Sequence, residues 1–293
     1  MRTKAPWYFE IVAKHIMANR RGGWRMLRGL QYCGMLKGVA EFQLRDGSIV
    51  EISLDTPHVY DPDLPDWYEP LAIKCVADAV NGYGLPFVLF DCGADSGLYS
   101  RLLIAETQHI MKVIAFEPNR DMYRVLCRNL TRERIGIPSE SFVCGVADFN
   151  GFGKLVAPPN SKDKESFFIE HSDVETEITV RTLDSIGLPT GNNLVIKLDI
   201  EGAELSALKG AQATLRDAGH LIIQIEAHPK VMQRTGIEPM DIVNYLRKLR
   251  PFSVTACGNH TDPIYPITRF DIPLFEQLPA DVKYDLVLIA PLV

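Results

Sequence analysis

Lys197, Asp199 and Glu201 stand at alternate positions where an apolar stretch gives way to a helical one, in NLVIKLDIEGAEL from residue 193 to 205. Alternate side chains of a strand share one face, so the three charges are predicted to cluster at the end of a strand. Burying charges is costly unless they are paired or functional. An ion pair of Lys197 with a carboxylate, and Glu201 favoured by the dipole of the next helix, would explain the pattern structurally. It would not exclude a catalytic role.

A second apolar stretch, HLIIQIEAHP from 220 to 229, ends in a similar way. Gln224, Glu226 and His228 also stand at alternate positions and would lie on one face of the strand. If the two strands are neighbours, Glu226 and His228 would lie at the same sheet edge as Lys197 and Asp199. His228 is a candidate general base because the unperturbed pKa of histidine is about 6.5. Carboxylates and a histidine could also hold a divalent metal, but no compact ligand motif is present and a metal is not favoured.

A turn with two glycines, FDCGADSG from 90 to 97, lies between another apolar stretch and a helical one. Gly93 and Gly97 would let a ligand approach the backbone at a helix N-terminus. The spacing differs from the G-x-G-x-x-G of dinucleotide sites, and Asp91 and Asp95 would repel a pyrophosphate. A cationic sulfonium amino acid would find acceptors in both aspartates. A glycine turn without a ligand is the structural alternative.

Two further acids follow the next two predicted strands. Glu117, in VIAFEPN, could accept hydrogen bonds from both hydroxyls of an adenosine ribose, as in NAD enzymes. Asp148, in GVADFNG, could accept from an adenine amino group, or form an Asx turn before Gly151. The two acids therefore indicate an adenosine ligand without choosing its class.

From residue 70 onwards, apolar stretches alternate with helical periodicity, which is typical of a doubly wound α/β domain with a mainly parallel sheet. The predicted strands are 86–93, 112–118, 141–147, 193–199, 220–226, 252–258 and 284–291, and the predicted helices are 71–80, 96–106, 121–130, 202–219 and 239–249. No crossover helix precedes the last strand, so we expect it to be antiparallel. Segment 151–181 is expected to form an insertion of short polar strands beside the sheet.

An N-terminal extension over residues 1–69 is predicted in front of a domain that spans 70–293. Basic helical pieces over 1–40 could be solvated, or could contact a membrane surface or a second copy of the chain. EFQLRDGSIVEI, from 41 to 52, predicts a β-hairpin that turns at Asp46-Gly47. In the loop that follows, Tyr60, Trp67, Tyr68 and Glu69 could form a lid over the site or pack onto the sheet.

Composition excludes several classes of function. The 293 residues carry a net charge of −6, so no nucleic-acid partner is expected. No apolar run approaches the ~18 residues that span a bilayer, and we expect neither a transmembrane segment nor a secretory signal. Six cysteines without a C-x-x-C pair are expected to be reduced thiols of a cytoplasmic protein: Cys33, Cys75, Cys92, Cys127, Cys144 and Cys257.

The motifs DCGADSGLYS, VIAFEPN, GVADFNG, TLDSI and IKLDIEGAELSALKGA, in this order, resemble those of the FkbM-type S-adenosylmethionine-dependent methyltransferases. The resemblance covers about residues 68 to 230, and the IKLDIEGAE block is its most specific part. It implies a class I methyltransferase fold, Rossmann-like, with a seven-stranded sheet whose last strand is antiparallel. It also implies methyl transfer from S-adenosylmethionine to a hydroxyl of a sugar, glycan or natural product, which leaves S-adenosylhomocysteine.

The resemblance also implies roles for individual residues. The methionine end of the cofactor would lie against Asp91, Gly93, Ala94 and Gly97, the ribose against Glu117, and the adenine edge against Asp148, with Asp95 and Ala147 as further cofactor-binding residues. Lys197, Asp199 and Glu201 would border the acceptor pocket, with Tyr68 and Glu69 above it. The charged strand ends, rather than the resemblance, make Asp199 or His228 the candidate to take the hydroxyl proton, with Lys197 orienting the carboxylate and Glu226 beside them. The family commonly has Asn where this chain has Asp95, and a carboxylate cannot donate a hydrogen bond to the carboxylate of the cofactor.

Three other functions fit parts of the pattern. A methyltransferase acting on nitrogen or on a protein would use the same cofactor site with another acceptor pocket. A catalytically silent protein would bind the cofactor without turnover, and Asp95 is the residue that hints at this. An NAD-dependent dehydrogenase would share Glu117 but lacks the second glycine of its turn.

Overall fold

The computed structural model describes residues 2–5, 9, 13–14, 29, 38–54, 56–61, 63–132, 136–156, 168–172, 178–258, 263–279 and 282–291. Most of the basic segment 1–40, with its expected helices and its expected membrane or oligomer contact, lies outside these residues, as does Cys33.

Fifteen strands and nine α-helices are described. In chain order the strands are β1 (Arg2–Lys4), β2 (Val39–Gln43), β3 (Ile49–Ser53), β4 (Phe87–Cys92), β5 (Ile110–Phe116), β6 (Ser139–Phe142), β7 (Cys144–Val146), β8 (Gly151–Val156), β9 (Phe168–Ser172), β10 (Ile178–Arg181), β11 (Asn193–Leu198), β12 (Leu221–Ala227), β13 (Ser253–Cys257), β14 (Ile264–Ile267) and β15 (Tyr284–Ala290). The helices are α1 (Leu64–Trp67), α2 (Pro70–Tyr83), α3 (Leu98–Glu106), α4 (Arg120–Leu130), α5 (Glu204–Lys209), α6 (Gln212–Asp217), α7 (Pro229–Thr235), α8 (Pro239–Leu249) and α9 (Leu274–Gln277).

The central sheet has the order β14-β13-β15-β12-β11-β4-β5-β6. Neighbouring strands from β12 to β6 are parallel, whereas β15 is antiparallel to both β12 and β13. The doubly wound fold and the antiparallel last strand are thus confirmed. The sheet has eight strands rather than the expected seven, because β14 folds back onto β13 at the edge.

Both faces of this sheet are covered by helices. One buried cluster packs strand residues such as Ile196 and Ile223 against Leu208 of α5 and Val243 of α8. The other packs the opposite faces of the strands against α2, α3 and α4. Strands buried on both faces are apolar throughout, which is why their sequences form continuous apolar stretches rather than alternating ones.

Two predicted elements are divided in the structure. The strand expected over 141–147 leaves the central sheet after Phe142, and β7 pairs with β10 in a second sheet of order β7-β10-β8-β9. This sheet includes the insertion expected over 151–181.

The helix expected over 202–219 is divided into α5 and α6 at Gly210, where a β-carbon would lie only 2.2 Å from the backbone oxygen of Ala147. Glycine at this break lets the two chain segments pack closely.

The N-terminal extension contributes the predicted hairpin, in which β2 and β3 pair antiparallel around a turn at Gly47. The side chain of Asn129, in α4, attaches this hairpin to the rest of the protein. It accepts from the backbone N–H of Glu51 (2.8 Å) and donates to the backbone oxygens of Glu51 and Ser96 (2.7 Å each). Tyr60 is buried and stacks on Phe9 with ring centroids 4.8 Å apart, so it belongs to the core of the extension.

The five cysteines that the structure describes are free thiols, as expected. The Sγ atoms of Cys75 and Cys257 lie 3.6 Å apart. None of the described helices has the length and apolar character needed to cross a bilayer.

Candidate functional site

A cavity of about 520 Å³ opens at the carboxyl ends of β4, β5, β11 and β12, beside the point where the strand order reverses. Ligands bind at this place in open α/β sheets. The turn after β4 and Glu117 line one half of the cavity, and Asp199, Glu201, Glu226, His228 and Lys283 line the other. The extension closes the top with side chains that include His58, Trp67, Tyr68 and Glu69. The expected convergence of charged strand ends and glycine turn is therefore present.

Gly93 is required by the contact between two strand ends. Its φ is +77°, and a β-carbon there would lie 1.9 Å from the backbone oxygen of Asp199. The N–H of Asp199 donates to the oxygen of Cys92 (3.1 Å), which holds the two strand ends together. Glycine is required at position 97 by side-chain packing, because a β-carbon there would lie 2.8 Å from a methyl carbon of Leu126. Gly97 does not line the cavity. Only the first glycine therefore lies where a ligand could approach it.

Glu117 is held by backbone donors. Its carboxylate accepts from the N–H of Asp95 (2.8 Å) and of Asn119 (2.7 Å), and the residue is 7% exposed. Burial, with Asp95 nearby, raises the pKa of Glu117 to about 8. Each carboxylate oxygen has a second lone pair, so Glu117, which lines the cavity, can accept further hydrogen bonds.

Asp91 is fully buried at the end of β4. Its Oδ2 accepts from Ser100 Oγ at 2.6 Å, while no donor among the described residues reaches Oδ1. Burial raises the pKa of Asp91, although Lys197 opposes this. A buried carboxylate oxygen without a donor is rare, and Asp91 itself does not line the cavity.

Ala147 and Asp148, predicted at the adenine edge, do not line the cavity. Asp148 is exposed, and its Oδ1 accepts from Ser206 Oγ at 2.7 Å. Cys144, Gly145 and Val146, just before them in β7, line the cavity instead.

Lys197 and Asp199 form an ion pair, with Lys197 Nζ 3.1 Å from Asp199 Oδ2, Lys197 3% exposed and Asp199 23% exposed. Burial raises the pKa of Asp199, but Lys197 and Lys283 outweigh it, and the pKa is lowered overall.

The extended geometry of β11 ends at Leu198, and Glu201 lies in a turn with φ +54°. The simple alternation predicted for the three charges therefore fails at Glu201.

Glu201 nevertheless returns to the cluster through this turn. Carboxylate oxygens of Asp199, Glu201 and Glu226 all lie within 4.8 Å of one another, a spacing that could hold a metal ion. Each already has a cationic partner, since Lys197 pairs with Asp199, Arg234 with Glu201 and Lys283 with Glu226. The cluster is balanced by side chains of the protein.

The side chain of His228 caps the N-terminus of α7, because its Nδ1 accepts from the N–H of Lys230 at 3.0 Å. Burial, followed by Lys283 and Lys230, lowers the pKa of His228, which favours the neutral ring at pH 7. In a neutral imidazole whose Nδ1 is the acceptor, Nε2 carries the proton. The second ring nitrogen of His228 is therefore a donor in this arrangement.

Glu69 connects the extension to the strand ends. Its Oε2 accepts from Gln224 Nε2 at 2.9 Å, and its Oε1 lies 3.9 Å from Lys283 Nζ. Burial, with Asp285 nearby, raises the pKa of Glu69 to about 8. Glu69, Asp95 and Glu201 are the three described non-glycine residues with positive φ, and all three line the cavity. Strained backbone of this kind is concentrated at functional sites.

Lys283 is a site residue that the sequence patterns did not predict. It is the only lysine or arginine among the described residues that line the cavity, and it lies one residue before β15. The expected antiparallel last strand could have indicated this residue, because the first residues of such a strand lie at the carboxyl ends of its parallel neighbours. Tyr284 pairs in register with Ala227, which places Lys283 beside Glu226.

The model of the methyltransferase FkbM domain matches residues 91–259. A hexuronic acid methyltransferase of Haloferax volcanii, AglP, is 26% identical over 174 residues, which are 56% of this chain and 62% of that protein. The crystal structure of methyltransferase FkbM from Methylobacillus flagellatus shares 22% identity at a TM-score of 0.44, covering 69% of this chain and 43% of that one. The structure of the plantazolicin methyltransferase BpumL in complex with S-adenosylhomocysteine shares 9% identity at a TM-score of 0.41, covering 76% and 84%.

This chain thus spans less than two thirds of the length of AglP and of the M. flagellatus protein. The matched domain, however, takes up more than half of this chain and contains the glycine turn, Glu117 and both charged strand ends. The chain therefore belongs to the methyltransferase FkbM domain family.

Proposed function

We propose that the protein transfers the methyl group of S-adenosylmethionine to a hydroxyl of a sugar, glycan or natural product. Family membership supports methyl transfer, and the name of the relative AglP supports a sugar acceptor. The observation that carries the proposal is the contact of Gly93 with Asp199, which brings the cofactor half and the charged acceptor half of one cavity together.

The residues of the cofactor half fit S-adenosylmethionine. Glu117, which lines the cavity, suits the two ribose hydroxyls, whereas the predicted contact of Asp91 with the ammonium group would need an opening to its buried Oδ1. Asp95 tolerates its positive φ as Asn would, and burial raises the pKa of Asp95, which moves the carboxyl toward the protonated form that could donate. When bound, the cofactor supplies a methyl group activated by its sulfonium. We propose that residues 144–146 border the adenine, since Asp148 is turned to Ser206.

We propose Asp199 as the group that accepts the proton. Asp199 would accept the proton of the attacking hydroxyl, while bound S-adenosylmethionine would supply the methyl group and leave as neutral S-adenosylhomocysteine. Asp199 lines the cavity, and its lowered pKa keeps it ionised at neutral pH. Positioning of the acceptor supplies much of the acceleration, so a weak base suffices.

The extension is proposed to form the wall above the acceptor. Trp67, Tyr68 and Glu69 line the cavity, and flat aromatic surfaces beside carboxylates suit a hydroxyl-bearing ring. Tyr60 is excluded from this wall by its place in the core of the extension. A role of the basic residues 1–40 in contacts with a membrane surface or with a second copy of the chain stays a prediction.

The substitution Asp199→Asn tests this function. It keeps the shape of the side chain but removes the proton acceptor, so methyl transfer should fall by about 10²- to 10⁴-fold. S-adenosylhomocysteine affinity, measured by calorimetry, should stay within about threefold, because the cofactor half is unchanged. Transfer is measured with radiolabelled methyl groups on a panel of glycosides and polyketides.

Glu140→Gln is the matched control, since it removes a carboxylate that pairs with Lys112 on the surface, away from the cavity. Wild-type turnover that survives Asp199→Asn would refute the role of Asp199. Absence of S-adenosylhomocysteine binding to the wild type would refute the proposed function itself, and tight binding of NAD instead would favour a dehydrogenase.

A further inference from the structure

We propose that Lys283 is a positioning residue for methyl transfer, which holds Glu226 and Glu69 in place so that Asp199 stays free to accept the proton. The inference rests on the proposed function and concerns the acceptor half of the same cavity. It starts from the ion pair of Lys283 with Glu226 and its distance of 3.9 Å to Glu69.

Lys283 joins three separate parts of the chain. It precedes the last strand, Glu226 lies at the end of β12, and Glu69 ends the extension. Only 29% of its side chain is exposed, so its ammonium is largely withdrawn from water and acts strongly on its neighbours. One side chain thus connects the wall above the acceptor to the strand ends beneath it.

The two carboxylates of Asp199 and Glu226 lie close enough to compete for one proton. Glu226 hydrogen-bonds to Asp199, which lowers the pKa of Asp199, and the pKa of Glu226 is raised by burial and by Asp199. Lys283 pairs directly with Glu226 and lowers the pKa of both carboxyls. Without this ammonium, both carboxyls would bind protons more tightly, and Asp199 would become protonated at a higher pH than in the wild type.

Other groups that face Asp199 would remain in place. From the parallel strands and the turns after them come Asp91, Asp95, Lys197, Glu201, Glu204 and His228. From the extension and the last strand come Tyr68, Glu69 and Asp285. Lys197 is the other ammonium in this set, and it pairs directly with Asp199. Carboxylates outnumber cations, so losing Lys283 moves the balance toward protonation.

The experiment compares Lys283→Met with Lys283→Arg. Met keeps the length of the side chain without its charge, and Arg keeps the charge. In Lys283→Met the acid limb of the pH profile of kcat/KM should move up by roughly one pH unit, as expected for loss of an opposite charge within ~4–6 Å. The rate should then fall about tenfold on the acid side and recover at high pH, and Lys283→Arg should restore the wild-type profile.

A second measurement separates positioning from a loss of folding. S-adenosylhomocysteine affinity by calorimetry should stay within about threefold in both variants, because Lys283 lies outside the cofactor half. A uniform loss of rate at every pH in Lys283→Met, or a profile identical to that of the wild type, would overturn the inference while leaving the proposed function intact. A wild type that binds S-adenosylhomocysteine but methylates no acceptor would overturn both, and so would a wild type that does not bind it.

Discussion

At the scale of residues, hydrogen bonds distinguish side chains that sequence alone leaves equivalent. Asp199 and His228 both lie at strand ends on the cavity, and either could be the base. The Nδ1 of His228 is committed to the N–H of Lys230, which leaves a donor on its other nitrogen. Asp199 is kept ionised by Lys197. The neighbours of each group, rather than its chemical type, therefore favour Asp199.

The substitution His228→Asn tests this distinction. Asparagine is a good N-cap and can still accept from the N–H of Lys230, so α7 should remain stable. We expect kcat/KM to fall by less than about tenfold, far less than in Asp199→Asn, because no proton acceptor is lost. Steady-state methyl transfer at several pH values measures the effect. A loss as large as that of Asp199→Asn would identify His228 as the base.

At the scale of elements, the site depends on how closely two strand ends approach each other. β4 and β11 are parallel neighbours, and the turn that follows β4 lies against the residue that follows β11. Gly93 allows this contact because it has no β-carbon. The glycine that was predicted to let a ligand approach therefore also sets the distance between the cofactor half and the acceptor half.

Gly93→Ala should consequently disrupt both packing and binding. The β-carbon would meet the backbone oxygen of Asp199 at 1.9 Å, in addition to the strain of φ +77°. We expect a loss of at least about 3 kcal/mol in the free energy of unfolding, with loss of S-adenosylhomocysteine binding. Urea denaturation and calorimetry measure the two effects.

Gly84→Ala is the matched control for backbone strain. Gly84 follows α2 at φ +61°, and a β-carbon there would meet no atom within 4 Å, so this position carries the strain without the contact. Its cost should be about 1 kcal/mol, with unchanged binding. Equal losses in the two variants would show that strain alone explains Gly93.

At the scale of the whole molecule, the extension and the methyltransferase domain act as one structure around the cavity. Asn129 connects the hairpin to Ser96 in the glycine turn, and Glu51 of the hairpin pairs with Arg128 and Arg132 of the domain. Ser96 itself lines the cavity. A disturbance of the hairpin should therefore reach the cofactor half.

Asn129→Ala tests this connection. It would leave the half-buried N–H and oxygen of Glu51 and the buried oxygen of Ser96 without this partner, so we expect a loss of roughly 2–4 kcal/mol in the free energy of unfolding. S-adenosylhomocysteine should bind several-fold more weakly. The exposed Asn150, which bonds only to Thr182 in the described chain, offers the control Asn150→Ala, with an expected loss below about 1 kcal/mol. Unchanged binding in Asn129→Ala would mean that the extension acts independently.

The sequence by itself determined the fold class, the antiparallel last strand, the hairpin and the family, because these follow from apolar periodicity, turn residues and contiguous motifs. It also determined that charged strand ends meet the glycine turn, since parallel strands end at one edge. Only the tertiary structure decided that Glu201 turns out of the strand, that Asp148 lies outside the cavity and that His228 caps a helix. It also brought Lys283 to Glu226 and Glu69, residues far apart in the chain. Such partners depend on the register of distant strands and on individual hydrogen bonds, which local periodicity does not encode.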